Sequence, residues 1–167
     1  MIDETNLKIL SILQQKARVP NVEVARQVNM APSAVLERIR KLEKQGIIDG
    51  YEVILNPKCL NRDMVAFVHV YLHHASQSDQ TGPLLARIPE IQEIHFVTGK
   101  DCFLVKIRVS GTAALGETLT QKIGAIAEVK RTETTIVLKT YKESSQIPLD
   151  SVNISEIIET PHHEPKE

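Results

Sequence analysis

Four basic side chains cluster between positions 38 and 44 of the sequence: Arg38, Arg40, Lys41 and Lys44. Cations at this density bind the phosphate oxygens of nucleic acids, and such contacts supply much of the affinity of a DNA-binding protein. Basic faces also occur on many helices that only meet solvent. This stretch alone therefore leaves DNA binding and an ordinary surface helix as open alternatives.

The segment that must position these side chains is predicted to form two short helices joined by a tight turn. Asn21 is a good N-cap for the first helix, which Asn29 and Met30 interrupt. Pro32 suits the first turn of the second helix, and Gly46 can end that helix in the left-handed conformation. The predicted inward-facing residues are Val22, Ala25 and Val28, followed by Val35, Ile39 and Leu42. The pattern predicts a helix-turn-helix over residues 21–40, whose second helix could enter a major groove.

The residues that this helix-turn-helix would present to DNA follow from their positions. Ser33, Ala34 and Glu37 lie near the start of the second helix and are candidates for contacts with base edges. Arg38 and Lys41 are expected to combine phosphate contact with helix packing. The complete set of predicted DNA-binding residues is Asn21, Pro32, Ser33, Ala34, Glu37, Arg38, Arg40, Lys41 and Lys44.

The flanking residues complete a winged helix-turn-helix. Asp3 can cap an earlier helix. The predicted inward face of that helix is Leu7, Leu10 and Leu13, broadened by Ile9 and Ile12. Residues 47–55 are rich in β-forming residues around Asp49-Gly50 and predict a β-hairpin wing. We therefore expect a DNA-binding domain over residues 1–57 and a linker over 58–63.

The rest of the chain predicts the element order β-α-β-β-α-β. Residues 64–72 form a strongly apolar run that predicts a strand buried on both faces. A loop is expected over 76–82, a helix over 83–88, and strands over 91–98, 103–109 and 129–141. Thr112 is the expected cap of a second helix, whose inward face is Leu115, Leu119, Ile123 and Ile126.

This order is that of the ferredoxin-like fold, so the fold class is α+β, with a ferredoxin-like domain over 64–142 and a C-terminal extension over 143–167. Helices should cover one face of the sheet. The other face is also expected to be apolar, because the strands carry few polar positions. Such a face needs a partner, and a second copy of the chain is the simplest.

Composition limits the classes of protein that fit. The 167 residues have a formal net charge of −1. Residues 1–60 carry 9 Lys and Arg against 7 Asp and Glu, whereas residues 151–167 carry 1 against 4. The helix-turn-helix half is thus mildly basic, and the tail is acidic. Two cysteines and no long apolar run argue against a secreted or membrane protein and predict a cytoplasmic location.

Other candidate sites carry less weight. His69, His73 and His74 lie near one strand end, but the three or four converging ligands that a metal needs are not evident. His162 and His163 belong to the acidic tail. Cys102 is better explained as an inert thiol than as a redox site. We predict no catalytic residues, no metal and no cofactor.

The chain resembles the leucine-responsive/asparagine-regulator (Lrp/AsnC) family of transcription factors over about residues 2–150. The resemblance rests on Asp3 with LKIL at 7–10, on NVEVARQVNMAPSAVLERIRKLEKQGIIDGYEVILNP at 21–57, on VTG at 97–99, on RTETTIVL at 131–138 and on IPL at 147–149. It implies a winged-helix reader of DNA joined to an amino-acid-sensing domain. It also implies homodimers that assemble to tetramers or octamers.

The resemblance also implies where an effector would bind. The predicted residues are Thr98, Gly99, Lys100, Asp101, Cys102, Thr134, Thr135 and Ile136, at a site where two dimers meet. Backbone N–H groups of the loop could bind a carboxylate, and an acidic side chain could hold an α-ammonium group.

Two positions depart from the family pattern. The family usually has Ser at position 31, where this chain has Ala31, so helix-cap stabilisation of about 1 kcal/mol is lost or is supplied by Ser33. The usual Gly-x-x-Asp loop would put Asp at Cys102, but here the acid is Asp101. Either the loop rotates to bring Asp101 into the pocket, or the pocket lacks an anchor for the ammonium group. We expect an altered effector specificity, with weak or no response to leucine.

The sequence thus predicts a transcriptional regulator that binds double-stranded DNA at a palindromic site and responds to a small molecule, expected to be an amino acid. One alternative is an architectural DNA-binding protein without an effector. Another is a regulatory subunit of a metabolic enzyme, because ferredoxin-like domains also serve that role.

Overall fold

The computed structural model describes residues 2–150 and 152–153. The chain forms two compact units. The N-terminal unit contains residues 2–54 together with the described part of 143–153, and the C-terminal unit contains residues 55–142. Within the described residues, no helix is long and apolar enough to cross a membrane. The rest of the predicted acidic tail, including the His162-His163 pair, lies outside the described residues.

Three helices form the N-terminal unit: α1 (Glu4–Gln15), α2 (Asn21–Val28) and α3 (Pro32–Lys44). Asp3 caps α1 as predicted, because its Oδ1 accepts the N–H of Asn6 at 2.8 Å. Asn29 ends α2 with a φ of 54°, and Gly46 follows α3 with a φ of 68°. Left-handed residues at both helix ends confirm the predicted turn and the predicted end of the second helix.

The apolar core of this unit differs in detail from the predicted faces. On α1, Ile9 and Leu13 are buried, whereas Leu7 and Leu10 are only half-buried. On α2, Val24 and Ala25 are buried and Val22 is 66% exposed. Asn21 is the first helical residue of α2 rather than its cap, and the N-cap is Pro20, which has no side-chain acceptor. The predicted faces of α1 and α2 were therefore rotated by part of a turn.

The inward face of α3 agrees with the prediction. Val35, Ile39 and Leu42 have relative exposures of 0%, 6% and 1%. Val35 and Ile39 belong to one cluster with Ile9, Leu13 and Val24. Because these three residues recur at helical spacing, their burial fixes which face of α3 points away from the core.

The predicted hairpin wing is wrong for this chain. Residues 47–55 contain no strand, and Gly50 is not in the left-handed region that a type I′ turn at Asp49-Gly50 would require. Val53 and Ile54 are 84% and 94% exposed. A lone two-stranded hairpin is marginally stable in water, so the β-forming residue types do not suffice without a packing surface.

Residues 143–149, which follow the C-terminal unit in the chain, belong to the N-terminal unit and contact α1. The Gln14 side chain accepts the N–H of Ile147 at 2.7 Å and donates to the Ile147 carbonyl at 3.1 Å. The Gln146 side chain donates to the Gln14 carbonyl at 3.0 Å. We call residues 143–149 the C-terminal strap. It hydrogen-bonds to the last turn of α1, where helix carbonyls lack partners within the helix.

Truncation after Lys142 should lower the free energy of unfolding of the N-terminal unit by about 1–2 kcal/mol, because it removes the strap's three hydrogen bonds to Gln14. Truncation after Asp150 keeps those bonds and should leave stability, dimerisation and specific DNA binding intact. Hydrogen exchange of α1 amides in the two truncated proteins is the measurement. Equal protection in both would show that the strap contributes nothing, and a monomeric product after the Asp150 truncation would place the tail in the dimer interface.

The C-terminal unit is a four-stranded antiparallel sheet with helices on one face. The strands are β1 (Met64–Leu72), β2 (Ile91–Val97), β3 (Cys102–Val109) and β4 (Val129–Ile136), in the order β2-β3-β1-β4. The helices are α4 (Ser78–Ala86) and α5 (Thr112–Glu117), and α5 continues into a π-helix over Thr118–Ile123. The predicted ferredoxin-like topology is confirmed.

One face of the sheet carries the core. Alternate residues of β1 and β3 pack against Leu85 of α4, Leu115 of α5 and Ile123 of the π-helix. The buried strand residues are Ala66, Val68, Val70, Leu72, Phe103, Val105, Ile107 and Val109. The helices therefore cover a continuous apolar surface with the two-residue period expected of strands.

The opposite face is not the apolar surface that was predicted. Phe67 of β1 is 37% exposed and lies opposite Lys106 of β3 and Thr135 of β4. The residues of this face include His69, Tyr71, Glu93, His95, Lys106, Arg108, Arg131 and Glu133. The register puts Val65, Val97, Cys102 and Leu104 on this face as well, so it is mixed, and β1 is fully buried only on the face that the helices cover. A mixed face supports a second copy less strongly than the uniformly apolar face that was predicted.

Three element boundaries also differ from the prediction. Residues 78–82 are helical rather than a loop, because Thr81 is buried and its hydroxyl donates to the Gln77 carbonyl at 2.9 Å. Gly111, not Thr112, is the N-cap of α5. The last strand stops at Ile136 rather than Tyr141, because its partner β1 begins at Met64 and offers only the Val65 carbonyl to Val137 N–H.

Candidate nucleic-acid interface and effector loop

The outward face of α3 carries the candidate nucleic-acid interface. With 3.6 residues per turn, Ser33, Glu37, Arg40 and Lys44 fall within an arc of about 60°, directly opposite the buried residues of the helix. All four are exposed. A helix with one buried face and an exposed face carrying two cations and two hydrogen-bonding side chains has the chemistry to contact phosphates and base edges.

The other predicted DNA-binding residues lie around this face. Pro32 and Lys41 are exposed, and Ala34 is half-buried at the edge of the face. Asn21 is half-buried at the start of α2 and lies on a different helix from the rest. The structure thus brings most of the predicted set together on α3.

Arg38 points to a different surface from the other cations. Its Nη1 donates to Asp3 Oδ2 at 2.6 Å and to Asn6 Oδ1 at 2.8 Å, so it joins α3 to the start of α1. Partial burial raises the pKa of Asp3, but the hydrogen bonds from Arg38 and from the Asn6 N–H outweigh it and leave that pKa below its ordinary value. Of the two predicted roles of Arg38, the packing role is the one that its contacts support.

Tyr51 is a contact of α3 that the sequence did not indicate. Its hydroxyl donates to Glu43 Oε1 at 2.9 Å, near the end of the helix. Burial and the adjacent Glu43 carboxylate raise the pKa of Tyr51 to about 12, so the phenol remains a donor across the physiological range. The residue types alone gave no signal for this pair, because the surrounding segment was predicted to form the wing.

Ala31 occupies the N-cap of α3, with φ and ψ of −71° and 142°, and it provides no side-chain acceptor. A Ser or Thr at this position would accept an N–H from the first turn and stabilise the helix start by about 1 kcal/mol. The sequence indicated that α3 lacks the usual side-chain cap at position 31, and the structure confirms this.

The candidate effector loop connects β2 to β3. Thr98, Gly99, Lys100 and Asp101 are exposed, and Gly99 and Asp101 both have left-handed backbones with φ of 84° and 49°. Asp tolerates this conformation better than most residues. The loop therefore presents an exposed carboxylate and an exposed ammonium group side by side.

Cys102 is not exposed to this loop surface. Its side chain has 0% exposure, and burial raises the pKa of its thiol above the ordinary value. A buried, protonated thiol is a poor nucleophile and a poor ligand for a cation. Asp101 rather than Cys102 is thus the acidic group that the loop offers to a ligand.

The structure does not bring Thr134, Thr135 and Ile136 near the loop within one chain. Cys102 pairs with Tyr71, and Tyr71 pairs with Arg131, so Thr134 lies further along β4, away from the loop. Strand spacings of about 4.8 Å and a rise of about 3.3 Å per residue put Cys102 and Thr134 about 14 Å apart. A site that uses both sets would need a second copy of the chain.

A polar cluster that the sequence did not indicate lies closer to the loop. The Arg131 guanidinium stacks 3.6 Å from the centre of the Tyr71 ring and pairs with Glu133. The Tyr71 hydroxyl donates to Glu133 Oε2 at 2.9 Å. Hydrogen bonds from Arg131 and Tyr71 lower the pKa of Glu133 and keep it ionised. Only cross-strand register, which sequence alone does not give, puts these residues together.

No group of three His, Cys, Asp or Glu side chains within the described part of the chain could hold a metal ion. His69 stacks with Tyr71, with ring centres 6.3 Å apart. His73 follows β1 and donates its backbone N–H to Glu128.

Comparison with known proteins identifies the family to which the two units belong. A family model for a winged helix-turn-helix DNA-binding domain matches residues 2–49, and one for the Lrp/AsnC ligand-binding domain matches residues 65–147. The HTH-type transcriptional regulator FL11 of Pyrococcus horikoshii is 37% identical over 148 residues, which cover 89% of this chain and 97% of that protein. The chain belongs to the Lrp/AsnC family.

Two further proteins show the extent of the similarity. The leucine-responsive regulatory protein of Escherichia coli K12 is 33% identical, over 87% of this chain and 90% of that one. A transcriptional regulator of Neisseria meningitidis, solved as a complex with L-Met, superimposes with a TM-score of 0.85 at 26% identity and covers 90% of this chain and 98% of that chain.

This Lrp/AsnC chain is therefore a transcriptional regulator that combines a helix-turn-helix DNA-binding domain with an effector-binding domain. The family that the sequence motifs indicated and the predicted class of function are confirmed. The individual DNA-binding and effector-binding residues stay predictions.

Proposed function

We propose that α3 reads double-stranded DNA in the major groove. Ser33, Ala34 and Glu37 contact base edges, and Arg40, Lys41 and Lys44 contact phosphates. The observation that carries this proposal is the exposed arc of α3, which is turned away from Val35, Ile39 and Leu42. A homodimer would present two such helices about one helical turn of DNA apart, so its site is a palindrome. A regulator that binds DNA is expected in the cytoplasm. The proposal assigns no catalytic role to the chain.

The effector that we propose is an amino acid other than leucine. The Neisseria meningitidis relative binds L-Met, which supports an amino acid as the class of ligand. The loop offers backbone N–H groups around Gly99 for the carboxylate and the exposed Asp101 for the ammonium group. Because the acid stands one residue before the usual position and Cys102 is buried, the pocket differs from that of a leucine sensor.

Assembly beyond the dimer is part of this proposal. Within one chain, ordinary strand spacing puts Thr134 about 14 Å from Cys102, and Thr135 and Ile136 lie further away. A shared pocket then forms only where two dimers meet, in a tetramer or an octamer. Effector binding would change the assembly, and the assembly would change the spacing of the DNA-reading helices.

Replacing Lys41 or Lys44 with Ala should weaken binding to every DNA sequence and flatten the slope of log K against log salt by about one unit, because one phosphate contact is lost. Titration of labelled duplexes between low and moderate salt measures this slope. Lys130→Ala is the matched control, since Lys130 is an exposed lysine on β4 and its loss changes the net charge equally. A Lys44→Ala protein with wild-type affinity and slope would show that Lys44 is ordinary surface.

A further inference from the structure

A polar network joins α1 to the middle of the DNA-reading helix. The Arg38 Nη1 lies 2.6 Å from Asp3 Oδ2 and 2.8 Å from Asn6 Oδ1. Asn6 is 6% exposed, so one acceptor is fixed in the helix interface. The other acceptor is fixed as well, because Asp3 uses its second oxygen to cap α1 through the Asn6 N–H.

The position of Arg38 on α3 separates it from the DNA-facing arc. At 3.6 residues per turn it lies about 130° from the centre of the arc formed by Ser33, Glu37, Arg40 and Lys44. Its side chain is 32% exposed, whereas Arg40 is an exposed residue of that arc. The guanidinium therefore faces α1 while the arc faces outward.

Burial of Val35, Ile39 and Leu42 selects the outward face of α3, and directional bonds at this place restrict the remaining rotation of the helix about its axis. The contacts of Val35 and Ile39 with Ile9, Leu13 and Val24 hold α3 against its neighbours, but hydrophobic contact is not directional. A planar guanidinium that bonds two fixed oxygens is directional and resists rotation of α3 about its axis. That rotation is the movement that would displace the base-contacting side chains.

We propose that the network of Asp3, Asn6 and Arg38 sets the rotation of α3 and thereby the sequence specificity of DNA binding. Arg38 is a positioning residue in this proposal, and it makes no phosphate contact. The proposal rests on the proposed reading of DNA by α3. Asp3 then contributes to specificity, although the charge of its carboxylate alone would only repel DNA.

The sign of the Asp3→Asn effect distinguishes these two roles. Asn caps helices as well as Asp does, so the substitution keeps the cap of α1 through Oδ1 and replaces the Oδ2 acceptor of Arg38 with an uncharged NH2 group. Electrostatic repulsion alone predicts equal or tighter binding to all DNA. Positioning predicts that the ratio of specific to non-specific affinity falls by about 5- to 10-fold, the factor expected when a base contact is displaced.

The experiment uses the full chain and two DNA probes: the duplex that the wild-type protein enriches most from a random-sequence library, and the unselected library itself. Binding of both is measured with the same preparation, so partial unfolding of a variant cancels from the ratio. Glu4→Gln is the matched control, because it removes the same charge from an exposed residue in the first turn of α1. It should leave the ratio unchanged.

Arg38→Gln provides the second readout. It should lower the ratio about as much as Asp3→Asn, leave the salt slope unchanged, and cause no further loss when combined with Asp3→Asn. A salt slope reduced by about one unit would make Arg38 a phosphate contact and overturn the inference. An unchanged ratio in Asp3→Asn would also overturn it. If the wild-type protein enriches no sequence, the proposed function fails first, and this inference fails with it.

Discussion

Asp101→Ala should weaken binding of the amino-acid effector about 10- to 100-fold, which is the range expected when a hydrogen bond to a charged group is lost. Asp101 is exposed, and its left-handed backbone at a φ of 49° turns the loop beside Gly99. In the proposed pocket its carboxylate holds the ammonium group of the ligand. Calorimetry with each of the twenty amino acids on the wild-type protein identifies the ligand and then measures the loss.

The control variants separate charge from shape. Asp79→Asn removes a carboxylate from an exposed position of α4 and should leave affinity unchanged. Asp101→Asn keeps the side-chain volume and should lose most of the affinity, because the ion pair is gone. Tight leucine binding that survives Asp101→Ala would contradict both the anchor role of Asp101 and the altered specificity.

The helix-turn-helix could be predicted because its determinants are local in the sequence. Asn29 and Gly46 end helices by adopting the left-handed conformation, and Pro32 fits the first turn of α3. Val35, Ile39 and Leu42 gave the correct inward face and therefore the correct outward face. The order of strands and helices in the second unit followed in the same way from apolar periodicity.

Features that depend on distant partners could not be predicted. The wing was expected from the residue types of positions 47–55, but a hairpin forms only where a surface stabilises it, and Val53 and Ile54 stay exposed. The end of β4 depends on where β1 begins. The Tyr71–Arg131–Glu133 cluster depends on the register of β1 with β4. The split between Arg38 and its basic neighbours depends on contacts with Asp3 and Asn6, far away in sequence.

The face of α1 illustrates a different difficulty. Five apolar residues lie in this helix, so a three-residue period could be drawn through Leu7, Leu10 and Leu13 as easily as a four-residue period through Ile9 and Leu13. The structure buries Ile9 completely and Leu13 to 9% exposure. Asn6 is buried on the same side because Arg38 satisfies its side-chain oxygen. Because the polar Asn6 lies on the inward face, the apolar pattern of the sequence did not identify that face.

Ile9→Ala should destabilise the N-terminal unit by about 2–5 kcal/mol, through lost burial and the cavity that remains. Ile9 has 0% exposure and packs in the cluster that contains Val35 and Ile39 of α3. Few buried residues stabilise so small a unit, so this loss should unfold it near physiological temperature and abolish DNA binding. The C-terminal unit has its own core and should stay folded and bind effector.

Leu10→Ala is the matched control, because Leu10 lies on the face that the sequence pattern favoured and is only half-buried. It should cost about 1 kcal/mol, since less apolar area leaves contact with the core. Ile9→Val should cost a similar amount, because it removes one methylene without emptying the site. Hydrogen exchange resolved by peptide measures both units in one experiment. If Leu10→Ala unfolded α1 and Ile9→Ala did not, the inward face of α1 would be that of Leu7, Leu10 and Leu13, and the arrangement of Asp3 and Asn6 opposite Arg38 would be wrong as well.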